Sequence, residues 1–268
     1  MITSVKNAIG YSLRQLIKRK KGVPLIPNES KQELFSHLPL NERKQADVTA
    51  RQLFSDFHLN DLYENSSADN FRQNLFYLEM LERAFSEADV KIPQNIVAAD
   101  MGPSDWFYVK ALYAALKWWS NPAGREVQLA GYEADAFRVY PNGFSRYDFA
   151  QSYIQGLEKV QYIPEKFTRQ PEKHDLITML FHFVFIKDHL KWGLPFRRFD
   201  PIKLLRDVWD SLKPGGVLII VNQGEAEHRA QKDMLLLENI RPAAAFQHLS
   251  QLYQYKLVRY VLVAINAA

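Results

Sequence analysis

The chain has no cysteine among its 268 residues. Disulfides, thiolate metal centres and cysteine nucleophiles are therefore excluded. No apolar run approaches the roughly 20 residues that a membrane-spanning helix needs. There is no GxGxxG fingerprint, no GxxxxGK[ST] loop and no HExxH spacing. The seven histidines are scattered, so no metal is expected. Acids are missing from residues 1–22, which hold Lys6, Arg14, Lys18, Arg19, Lys20 and Lys21. The other 28 basic residues face 30 acids, so the net charge of +4 belongs to this segment. It predicts no nucleic-acid-binding face on the rest of the chain. A signal peptide is not expected, because the charges follow the apolar positions and no small-residue cleavage pattern appears.

What is present fits a globular chain with a sizeable core: 47% of residues are apolar and 24% charged. Aromatic residues reach 13%, which suits large core side chains or a pocket for a flat or apolar ligand. Residues 1–21 read as a basic amphipathic helix, with Ile2, Val5, Ile9, Leu13, Leu16 and Ile17 at helical spacing. Such a helix either touches anionic lipid or a partner, or packs on the main domain with a solvated basic end. Residues 22–30 carry two prolines and a glycine and read as a linker. Residues 31–94 read as a helical cap, in which Phe71, Leu75, Leu78, Leu81 and Phe85 keep a helical rhythm.

From residue 95 short apolar runs alternate with helical stretches. Strands are expected at 95–100, 127–133, 160–163, from 174 and at 217–223. Helices are expected at 105–119, 146–157, 200–212 and 225–240. FQHLSQLYQ and RYVLVAIN form a closing pair of strands. This alternation implies a mostly parallel sheet covered on both faces. Such a sheet binds ligands at the carboxyl ends of its strands, so the informative residues follow the strands. Asp100-Met101-Gly102-Pro103-Ser104-Asp105-Trp106 leaves the first strand. Gly102 permits a tight crossing, and Asp105 or Ser104 can cap the next helix. Gly131-Tyr132-Glu133-Ala134-Asp135 leaves the second, where Glu133 or Asp135 can accept hydrogen bonds from both ribose hydroxyls of a nucleoside. Glu133 is the nearer to the strand.

Asp175-Leu176-Ile177, a helix, and then Leu212-Lys213-Pro214-Gly215-Gly216-Val217-Leu218-Ile219-Ile220 resemble, in order, the fourth and fifth strands of the class I S-adenosylmethionine-dependent methyltransferases. With Asp100-Met101-Gly102 and Gly131-Tyr132-Glu133 the resemblance covers about residues 95–265. It implies a Rossmann-like, mostly parallel seven-stranded α/β sheet with helices on both faces, over residues 95–268, behind the helical cap. It also implies S-adenosylmethionine as cofactor, S-adenosylhomocysteine as product, a small-molecule acceptor and a cytoplasmic protein. Residues 1–21 lie outside the resemblance, and their basic amphipathic pattern alone allows peripheral membrane or partner contact. The implied cofactor contacts are Asp100, Met101, Gly102, Ser104, Trp106, Glu133, Asp135 and Leu180.

The first loop departs from the family's D-x-G-x-G-x-G pattern. Only Gly102 remains, and Pro103 and Trp106 stand where small residues are usual. Either the loop cradles the cofactor in a modified way, or the chain is a non-catalytic relative that binds a ligand or partner. His182, just past the fourth strand, is the candidate base or substrate contact; the other reading is a buried histidine among Phe181, Phe183 and Phe185. Asn222 and Gln223 follow the fifth strand and can face the substrate. Arg138 and Arg146 can recognise an anionic group or pair with nearby acids. The N/D-P-P-Y/F motif of base-modifying relatives is replaced by Leu180-Phe181-His182-Phe183, which disfavours a nucleic-acid base.

Overall fold

The apolar runs form seven strands: β1 Asn95–Met101, β2 Glu126–Tyr132, β3 Val160–Ile163, β4 His174–Leu180, β5 Leu212–Gln223, β6 Pro242–His248 and β7 Arg259–Ile265. The computed structural model describes residues 2–267. The strands make one sheet in the order β3-β2-β1-β4-β5-β7-β6. β3, β2, β1, β4 and β5 run parallel; β7 is antiparallel to both β5 and β6. The chain leaves β1 outward to β2 and returns to its other side as β4. The switch point therefore lies between β1 and β4.

Alternation along the strands feeds two cores. On β5, Val217, Ile219 and Val221 point to one face and Leu218 and Ile220 to the other. The first face is covered by α5, Val109–Trp118, and by α4, Ala68–Glu87. The second is covered by α8, Pro201–Trp209, and α9, Gly224–Leu237, through Leu205, Val208 and Leu235. The motif acid Asp175 works at the far end of the sheet. Its carboxylate accepts from the Val97 amide and from Lys213 Nζ, both at 2.8 Å.

Several elements differ from the sequence expectation. Residues 31–94 hold α2 Leu40–Asp56, α3 Asn60–Glu64 and α4. Leu75, Leu78 and Leu81 of α4 are fully buried in the same core as residues of β1, β2 and β5. The helix expected from residue 105 starts at Val109, because Ser104 and Trp106 adopt left-handed backbone with φ of 59° and 60°. The KPGG turn is a bulge inside β5: Leu212 pairs with His174 and Val217 with Leu176. Of FQHLSQLYQ only the first three residues are strand, the end of β6. The stretch 184–199, which carries no periodic signal, forms α7, Ile186–Lys191, and a short 3-10 helix, Phe196–Arg198. The remaining helices are α1, Ile2–Ile17, and α6, Arg146–Tyr153.

Candidate functional site

A cavity of about 490 Å³ opens at the carboxyl ends of β1, β2 and β4, where an open α/β sheet binds its ligands. Its volume falls within the range of small-molecule pockets. Of the residues read from the sequence, Met101, Gly102, Ser104, Glu133, Arg146, Leu180, His182 and Gln223 line it. Asp100, Trp106, Asp135, Arg138 and Asn222 do not.

Asp100 is completely buried beneath the first loop. One carboxylate oxygen accepts from Trp106 Nε1 at 2.7 Å and from the Tyr108 hydroxyl at 2.8 Å. The other accepts from Thr178 Oγ1 at 2.7 Å. Burial raises its pKa to about 6, against the opposing pull of these donors. The loop is thus folded around its own aromatic residues. The Trp106 indole lies over the backbone of Gly131, where a Cβ would stand 2.8 Å from the ring. A Cβ at Gly102, by contrast, meets nothing within 4 Å, although its φ of +69° favours glycine.

Glu133 joins the two loops. It accepts from the Ser104 amide at 2.9 Å and from the Asp135 amide at 2.8 Å. Arg146, the first residue of α6, faces it at 3.5 Å. Ser145 and Asp148 close a capping box on α6 and so fix where Arg146 points. Burial raises the Glu133 pKa, while Arg146 lowers it. A carboxylate has about four acceptor positions, so these three donors leave one free for a ligand.

His182 is buried and neither ring nitrogen makes a well-formed hydrogen bond among the described residues, although the Gln231 side chain and the Met179 backbone lie near enough to favour its protonated form. Desolvation lowers its pKa to about 4. It is therefore a neutral imidazole at physiological pH, a weak base but a serviceable hydrogen-bonding group. Asn222 is buried next to the strand end with both side-chain polar atoms unpaired among the described residues. Arg138 lies against Trp192 and Asp135 instead.

Elements outside the sequence reading complete the wall. α4 supplies Tyr77, the α7 region supplies His189 and Trp192, and β7 supplies Arg259. A fourth contributor is α1, whose Tyr11 lines the cavity. α1 docks through polar groups. Arg14 makes two bonds to buried Asp135, at 2.8 and 3.0 Å. Tyr11 and Gln15 donate to the Ala134 carbonyl at 3.1 and 2.9 Å, and Asn7 to the Leu190 carbonyl at 2.8 Å. The apolar side chains Val5, Ile9, Leu13, Leu16 and Ile17 consequently face outward, each at least half exposed. Among the described residues no helix is long and apolar enough to cross a membrane, and no group of three or more His, Asp or Glu is placed to hold a metal ion.

The architecture is the Rossmann-like fold of class I S-adenosylmethionine-dependent methyltransferases, shared with a solved structure assigned to that class. A chain from Listeria monocytogenes assigned to this class is 12% identical, with a TM-score of 0.52; the match covers 89% of this chain and 79% of that one. A methyltransferase from Aquifex aeolicus is 15% identical, with a TM-score of 0.49, over 70% of this chain and 89% of that one. No family model and no curated protein sequence matches the chain.

Proposed function

We propose that this protein transfers a methyl group from S-adenosylmethionine to a small or medium-sized acceptor. The observation that carries the reading is the cavity at the switch point, with open backbone at Gly102 and the Glu133 carboxylate on its wall. Gly102 and Ser104 line the path for the methionine part, Glu133 accepts from one ribose hydroxyl with its remaining acceptor position, and Met101 and Leu180 offer apolar contact. Asp100, Trp106 and Asp135 act one layer back, by fixing the loops. The bound cofactor supplies an activated methyl donor. The chain's own task is then to orient the acceptor and exclude water. His182 contacts the acceptor as a neutral hydrogen-bond partner, and Gln223 flanks it.

A second reading, a non-catalytic ligand-binding relative, draws on the same loop. Trp106 fills space beside β2, and the Ser104 amide is already engaged by Glu133. Calorimetric titration with S-adenosylmethionine and S-adenosylhomocysteine separates the two. Micromolar binding of both supports methyl transfer and justifies a search for the acceptor. A folded protein that binds neither at millimolar concentration sinks it.

We also propose a peripheral site of action at an anionic membrane. The support is the outward apolar face of α1 next to Lys18, Arg19, Lys20 and Lys21, a pattern suited to the lipid interface. Vesicles containing anionic lipid should sediment the full chain, and neutral vesicles should not. Equal pelleting by both removes the charge-dependent reading.

A further inference from the structure

β7 opens with Arg259, in register with Gln223 at the end of β5 and with His248 on β6. The side chain is only 6% exposed and lines the candidate active-site cavity. Its guanidinium lies over two rings, 4.6 Å from the centre of Phe181 and 4.0 Å from that of Tyr255. One nitrogen donates to the Leu257 carbonyl at 3.1 Å, while Nε is buried without a partner. Arg146, the other buried arginine of the cavity, faces Glu133. Arg259 has no such carboxylate among the described residues. Glu227 is the acid whose charge reaches it, but Glu227 accepts from the Gln223 amide at 2.7 Å instead.

A desolvated guanidinium is costly unless a counter-charge is close. The two rings compensate for part of that cost and leave its fork of donors without an anion. Between Arg259 and the first loop the wall is aromatic: Tyr77 stacks on Tyr108 at 5.0 Å and meets Phe107 and Phe181 edge-on at 5.5 and 6.1 Å. The cavity therefore offers a largely aromatic channel ending in a cation that has the Tyr77 hydroxyl beside it but no carboxylate among the described residues.

We propose that Arg259 binds the carboxylate or phosphate of a ligand whose flat or apolar body lies along Tyr77, Phe107 and Phe181. That this ligand is the methyl acceptor rests on the function proposed above; the anion subsite itself does not.

The test is calorimetric titration of the full chain, without S-adenosylmethionine, using benzoate, phenyl phosphate and their neutral counterpart benzamide. At least one anion should bind in the millimolar range or tighter, roughly tenfold or more above benzamide, and whichever anion wins identifies the headgroup. Arg259→Gln should remove that preference and leave benzamide unchanged. Where Arg259→Gln melts early, Arg259→Lys keeps the charge but not the fork and should lose part of the preference, and Phe107→Leu should weaken both anion and benzamide while leaving their ratio intact. Anion binding that survives Arg259→Gln in a folded protein, equal affinity for benzamide, or no anion binding in the millimolar range overturns the proposal. Anion binding by a protein that fails to bind S-adenosylmethionine leaves this subsite standing and removes the methyl-transfer reading.

Discussion

The Trp106 indole occupies the space that a side chain at Gly131 would need, with ring atoms 2.8 Å from where the Cβ would stand. Bulk on the first loop and its absence on β2 are one packing solution. Gly131→Ala should therefore destabilise by about 1–3 kcal/mol through overpacking. Trp106→Phe should cost about 1–3 kcal/mol, because Asp100 loses its indole donor. The pair together should cost less than the sum, since the smaller ring makes room for the methyl group. Urea unfolding of the three variants provides the double-mutant cycle. Strict additivity would mean that the two residues do not share a packing constraint.

Asp100 and His182 should give opposite pH dependences. The folded-state pKa of Asp100 is about 6 against an ordinary 3.8. The folded state then binds more protons than the unfolded one between those values, and stability falls as pH rises from about 4 to about 6. His182 is lowered from 6.5 to about 4. There the unfolded state binds more protons, so its contribution is present above pH 6.5 and lost as pH falls towards 4. Each shift amounts to on the order of 3 kcal/mol. Relative to wild type, Asp100→Asn should show a steeper gain in stability between about pH 4 and pH 6, and His182→Gln a flatter one. Unfolding free energies measured across that range decide it; parallel curves for all three proteins would mean that neither group is desolvated.

The sheet was legible because its parallel strands are buried on both faces and so read as apolar runs. Asp175 and the Lys213-containing bulge reported the fold faithfully, yet they bond to one another and to Val97 at the end away from the cavity. α4 was readable as a helix, but its rhythm could not say that it packs against α5, β6 and β7. The left-handed turns at Ser104, Trp106 and Phe181 have no propensity signal. They decide which loop residues reach the cavity and which lie behind it. Trp192 sits in a stretch of mixed aromatic and basic residues without a period. Arg259 looks like the polar start of an apolar strand until β7 is seen to begin beside the aromatic wall.

Glu133 has two jobs that substitutions can separate. Glu133→Ala leaves Arg146 buried, at 3% exposure, without its carboxylate. A cost of about 3–5 kcal/mol in stability follows, and any loss of ligand affinity would be confounded by it. Glu133→Gln keeps the shape and one acceptor oxygen. It should fold with a smaller penalty and weaken S-adenosylmethionine by about 1.5–3 kcal/mol. Thermal melts and calorimetric titration of both variants check this. Wild-type affinity in Glu133→Gln would move the ribose contact elsewhere.

Arg14 and Asp135 hold α1 against the cavity rim by a two-bond pair in which the carboxylate is wholly buried. Removing the guanidinium with Arg14→Ala should cost about 1–3 kcal/mol, because Arg138 approaches Asp135 only to 3.9 Å. The loss should appear locally, as faster proteolysis within residues 1–21. The outward face is independent of that anchor. Ile9 and Leu13 are at least half exposed, so Ile9→Glu and Leu13→Glu should leave melting and protease resistance near wild type. They should nevertheless abolish sedimentation with anionic vesicles, since a carboxylate is placed where lipid contact is proposed. Arg14→Ala, with the apolar face intact and the helix freer to leave its seat, should sediment at least as well as wild type. Loss of vesicle binding in Arg14→Ala but not in Leu13→Glu would mean that the lipid contact lies on the polar face, and would reverse the orientation argued for α1.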